Sequence, residues 1–221
     1  MRLIDLSPDL ILTTDTGVVE TTGILERYFQ GVLAAVPLAP LYVVDGRVTT
    51  DRKSYAGEEA VRLKDLDLGL TSSTDHFLKG RMYMDHVQVP MSYAQRTFER
   101  RIANLEQMTS ETPWFLLDGN HRALASSLAK RDVPCRVLET DADLQEVRMR
   151  FEAGEWPQLF AEGDTLLEVV RAWEKHVLST ASSRFGVDEP RTCTVSERRD
   201  WLYERSALPA SIVDYIERAK Q

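Results

Sequence analysis

The stretch WFLLDGNHRALASSLAKRDVPCRVLE, residues 114 to 139, decides the fold. Four apolar residues run into the polar loop Asp118-Gly119-Asn120-His121-Arg122. A helical segment follows from Ala123 to Lys130, then a second apolar strand around Cys135. Gly119 lacks a Cβ, so it tolerates positive φ and lets a ligand approach the backbone closely. The loop opens a helix whose first amides have no intrahelical partners and carry partial positive charge. Asn, His and Arg add donors at the same point, a combination suited to cradling a phosphate. Asp118 is placed to cap the helix or to accept a proton. The same residues are also compatible with a plain Asp-Gly turn ahead of a helix that starts with polar side chains.

Working outward, APLYVVDGR (39 to 47) echoes TPWFLLDGN (112 to 120), with Pro, an apolar strand and Asp-Gly at matching offsets. Either two strands end in the same common turn, or they are hairpin neighbours separated by an insertion. Residues 1 to 12 read as one or two short strands broken at Ser7-Pro8. After the threonine-rich loop TTDTGVVETTG (13 to 23), Ile24 to about Val36 has helical apolar spacing, closed by Pro37 and Pro40. The insertion, about 47 to 111, is polar and turn-rich, with one amphipathic helix in YAQRTFERRIANLEQM (93 to 108). From Asp141 the chain reads as helical, with an Asp cap at the start of DADLQEVRMRFEAG.

The totals bound the classes. The 221 residues are 43% hydrophobic and 28% charged, which suits a soluble globular protein. Thirty-five acidic against 27 basic side chains, a net charge of -8, disfavour a duplex-binding surface. Cys135 and Cys193 lack metal-ligand or redox spacing and suggest reduced thiols. No apolar run is long enough for a membrane span and MRLIDLSPDLIL is no signal peptide, so a cytoplasmic location without membrane partners is expected.

The loop and its flanks resemble the ParB/sulfiredoxin superfamily, whose members carry a strand, a short glycine-containing loop ending in Arg, a helix and another strand. ParB proteins have a Gly-Glu-Arg-Arg type loop, sulfiredoxins Gly-Gly-Cys-His-Arg and free-serine kinases Asp-Gly-His-His-Arg. The chain's Asp118-Gly119-Asn120-His121-Arg122 is closest to the kinase form. The resemblance spans about 1 to 46 and 112 to 140. It implies that Gly119, His121 and Arg122 contact nucleotide phosphates, and the donor chemistry of the loop adds Asn120 to that cradle. Free-serine kinases also place a glutamate just before the first helix, which here is Glu20 in VVETTGILERY (18 to 28). By that resemblance Glu20 is the base for an attacking hydroxyl, with Asp118 and His121 counted beside it. Thr21 and Thr22 are candidate phosphate donors. Glu20 also reads as a solvated loop residue, and the threonines as helix caps.

The departures narrow the options. Asn120 stands where sulfiredoxin has its nucleophilic cysteine, which excludes that route to sulfinic acid reduction, and Cys135 sits inside the next strand. ParB's doubled arginine is absent. SERRDWLYERSALPASIVDYIERAK (196 to 220) reads as a packing pair of helices rather than a DNA reader. Asp75-His76 and Asp85-His86, ten apart, match no common metal spacing, so no protein metal site is expected.

The resulting expectation is an α/β (α+β) fold with a small mixed sheet of ParB/sulfiredoxin type. Residues 1 to 140 form that domain, interrupted by the insertion, and 141 to 221 a helical C-terminal region. The resemblance implies Mg²⁺-dependent phosphoryl transfer or hydrolysis of ATP or CTP, with an unknown acceptor. Two rival readings stand beside it. One is NAD-dependent ADP-ribosyl transfer or nuclease action, the other a nucleotide-gated module that binds DNA or a protein partner.

Overall fold

A computed structural model describes residues 1–13, 21–47, 103, 105–155, 159, 161–180 and 193–220, without the side chains of 175–180. The strands are β1 (Arg2–Leu6), β2 (Ile11–Thr13), β3 (Leu41–Asp45), β4 (Trp114–Asp118), β5 (Val133–Leu138) and β6 (Cys193–Thr194). The helices are α1 (Thr22–Leu33), α2 (Asn120–Leu128), α3 (Asp141–Glu152), α4 (Leu166–Thr180), α5 (Val195–Glu204) and α6 (Ala210–Arg218). A 3₁₀ turn spans Pro8–Leu10, and residues 105–111 lead helically into β4.

The strands form one mixed sheet in the order β1-β5-β3-β4-β2-β6. β3 and β4 are antiparallel neighbours, with Val44 opposite Phe115 and Asp45 opposite Trp114. The echo of Pro, strand and Asp-Gly therefore marks adjacent strands parted by the long insertion. β2 runs parallel to β4, pairing Ile11 with Trp114 and Leu12 with Phe115. Both strands thus end at the same edge of the sheet.

Side chains alternate across the central strands, and both faces are apolar because helices cover both. Leu41, Val43, Trp114 and Leu116 point to the face covered by α1, α2, α5 and α6. Tyr42, Val44, Phe115 and Leu117 point to the other, under α3 and α4. There the Trp173 ring stacks on Phe115 at 4.0 Å, and its indole N–H donates to the Leu116 carbonyl. Fully burying one such side chain contributes roughly 1.5–3 kcal/mol.

The C-terminal pair packs as its sequence suggests, with Leu202, Leu208 and Ile212 in the first core. Two local expectations change. The first helix ends at Leu33, with Ala35 left-handed at φ 55°, before either proline. The α3 cap is Thr140, whose hydroxyl accepts from the Asp143 amide, rather than Asp141. β6, in the C-terminal region, was not anticipated. No described helix is long and apolar enough to cross a membrane.

Candidate functional site

The parallel pairing of β2 and β4 sets the end of β2 beside the end of β4, so the connections that follow leave from neighbouring points. In open α/β sheets the crevice outside such strand ends is where ligands bind. α1 begins from the first connection and α2 from the second, and the two helices pack together on the same face. Gly119 is the N-cap of α2 and adopts φ +109°, the left-handed conformation foreseen for it.

Two hydrogen bonds join the connections. Thr13 Oγ1 donates to Asn120 Oδ1 at 2.6 Å. Thr21 Oγ1 and His121 Nε2 share a bond of 2.5 Å. The Thr13 contact uses Asn120's carbonyl oxygen and leaves both amide N–H groups as donors. Thr21, Asn120 and His121 all remain partly exposed. Thr21 is the N-cap of α1 but makes no side-chain cap bond, and neither does Gly119 for α2. Neither helix has an acid in its first turn. Neither helix start is closed by its own N-cap side chain, and both place the partial positive charge of a helix N-terminus at one edge.

Arg122, expected on the phosphate, is only 7% exposed. Its Nη1 donates to the carbonyls of Ala39 and Pro40, each at 2.9 Å, and its Nη2 is paired with Asp118 Oδ2. Asp118, expected to cap the helix or accept a proton, pairs its carboxylate with Arg122. Burial pushes Asp118 above the usual carboxylate range, outweighing the opposite pull of Arg122 and the Gly119 amide. Thr22 is the first residue of α1. Glu20, the Asp-His pairs and the rest of the insertion to residue 102 lie outside the described residues.

Thr13 was missed as a site residue. Its only sequence signal is a threonine directly after an apolar strand, and its relevance appears once β2 is seen beside β4. Cys135 is buried in the core, where desolvation pushes its thiol up to about 12, so it is no nucleophile.

A cavity of about 380 Å³ lies at the opposite end of α2, lined by Leu128, Tyr203, Tyr215, Ile216 and Lys220 among others. The C-terminal ends of α2 and α6 meet α5 there, with Lys130, Arg199 and Lys220 beside Asp200 and Glu204 in the lining. Among the described residues, no three His, Cys, Asp or Glu side chains are gathered as metal ligands.

No significant match was found to any family model, curated protein or solved structure.

Proposed function

We propose that the chain binds a nucleoside triphosphate where α1 and α2 begin, and transfers or hydrolyses its terminal phosphate. The observation that carries this reading is the joined pair of helix starts. Two helices with neither a side-chain cap nor an acid in the first turn emerge from adjacent parallel strands. Thr13–Asn120 and Thr21–His121 hold their connections together. The likeness of the Asp118–Arg122 loop to the ParB/sulfiredoxin superfamily supplies the ligand class.

In this reading the first-turn amides of α2 and the amide group of Asn120 donate to phosphate oxygens. His121, oriented by Thr21, adds an imidazole, and Thr22 a hydroxyl. Glu20 keeps, from sequence alone, the role of accepting the proton of an attacking hydroxyl. Mg²⁺ would arrive with the nucleotide and neutralise charge on its phosphate oxygens. The described residues supply it no dedicated ligand set, since Asp118 is engaged by Arg122.

A thermal-shift panel of ATP, CTP, GTP and NAD, each with and without Mg²⁺, tests the proposal. A triphosphate at about 100 times its Kd is expected to stabilise the fold by roughly 2.7 kcal/mol, a rise of a few degrees in Tm. His121→Ala is expected to remove that rise together with phosphate release. No shift with any triphosphate, or a shift that His121→Ala leaves intact, overturns the proposal. A response to NAD alone transfers the site to ADP-ribosyl chemistry.

A further inference from the structure

We propose that Arg122 and Asp118 form a positioning clamp that aims the first-turn amides of α2 and does not itself touch the ligand. This deepens the reading of that turn as a phosphate seat and rests on it. One guanidinium joins three pieces of chain: the end of β4 through Asp118, the first turn of α2 that carries it, and the approach to β3 through the carbonyls of Ala39 and Pro40. Those carbonyls are satisfied by the guanidinium although they lie 83 and 82 residues away in sequence.

Gly119 sits directly against this clamp. A Cβ on it would lie 3.0 Å from Arg122 Nη2 and 2.4 Å from Leu41 Cδ2. The space that a side chain on this left-handed glycine would need is therefore filled by the guanidinium and a buried leucine. The glycine's conformation sets the direction of the N–H groups that follow. Misplacing such donors by about 1 Å can cost on the order of 100-fold in a preorganised site.

The test measures Mg·ATP affinity of the full chain, well below its Tm, for wild type, Asp118→Asn and Arg122→Lys. The clamp predicts that both variants bind roughly tenfold more weakly or worse, as is usual when a supporting partner is lost. An arginine held in reserve for the ligand predicts the reverse. Asp118→Asn would release it and tighten binding, and Arg122→Lys would keep affinity, because lysine serves as a point-charge phosphate ligand. Either result overturns the clamp. A role in stability alone would leave both affinities unchanged in the folded protein, and that result overturns it too.

Asp118→Asn leaves a buried cation without its counter-ion, so Arg122→Lys decides if the other variant does not fold. Hydrogen exchange of that variant, compared with wild type, supplies an independent readout. The clamp predicts faster exchange confined to the amides of residues 119 to 123. If wild type binds neither Mg·ATP nor any other triphosphate of the panel, the functional reading fails, and unchanged exchange in Arg122→Lys then refutes the clamp separately.

Discussion

The helices of this protein start in two different ways. α3 and α5 close their own ends. Thr140 and Asp143 form a reciprocal box, with the Asp143 amide donating to Thr140 Oγ1 at 3.2 Å and the Thr140 amide to Asp143 Oδ2 at 3.0 Å. Thr194 and Glu197 repeat it at 3.0 and 2.7 Å. Each of these helices also has an acid in its first turn, Asp141 and Asp143 in one, Glu197 in the other. α1 and α2 have neither device, although Thr21 is a residue type well able to cap. Its hydroxyl goes to His121 instead. α6 also lacks a side-chain cap, but its first turn meets a carboxylate of α1, with the Ser211 hydroxyl donating to Glu26. On the proposed reading the contrast has a purpose: at the edge where these two helix starts adjoin, self-capping would compete with the phosphate for the same amides.

The strongest way to break the open pair is to refill its glycine. Gly119→Ala forces a side chain into a left-handed conformation and against Leu41, which is completely buried. Strain and overpacking together are expected to cost roughly 2–4 kcal/mol, read as a lower midpoint in urea unfolding. A midpoint within experimental scatter of wild type would mean that the α2 start is not held as described.

At the capped helices the effect is smaller and confined to stability. Thr140→Ala and Thr194→Ala are each expected to cost about 1 kcal/mol and to leave nucleotide-induced stabilisation unchanged. The box of α3 adds a pH signature. Partial burial pushes Asp143 up, but hydrogen bonds from the N-terminal ammonium, the amides of Glu139 and Thr140 and the Thr140 hydroxyl outweigh it and hold the carboxyl at about 2. A folded value below the unfolded one, about 3.9, means stability that is complete above pH ~4 and lost as pH falls towards 2. Melts between pH 5 and 2 should therefore fall more steeply for wild type than for Asp143→Asn. Equal slopes would remove the box from the account.

What was legible in the sequence follows the reach of each interaction. The shared Pro, strand and Asp-Gly made both strands legible because their burial and turn chemistry are written in consecutive residues, and the β3–β4 register chose the hairpin reading over a chance echo. Gly119 announced its own conformation for the same reason. The burial of Arg122 was not legible because its acceptors, the carbonyls of Ala39 and Pro40, become neighbours only through the β3–β4 register. A backbone carbonyl leaves no signature in sequence. Thr13 was overlooked on similar grounds, since the end of a three-residue strand gains meaning only beside β4. β6, two residues long, is too short to show alternation. The Asp141 cap erred by a single position because Thr140 and Asp141 are both good capping residues, and tertiary context chose between them.

The subtlest change converts one class of helix start into the other. Asn120→Asp is nearly isosteric, keeps an oxygen to accept from Thr13, and adds the first-turn acid that α2 lacks. Favourable interaction with the helix dipole predicts a gain of about 0.3–1 kcal/mol in unfolding free energy. The same carboxylate would stand where phosphate oxygens are to bind, replacing two N–H donors with negative charge. Stability and ligand response should therefore move in opposite directions, with Tm slightly higher and the triphosphate-induced shift gone. A variant that is more stable and still shifts with Mg·ATP would show that α2's open start is only an omitted cap, and the contrast between the two classes of helix would lose its functional meaning.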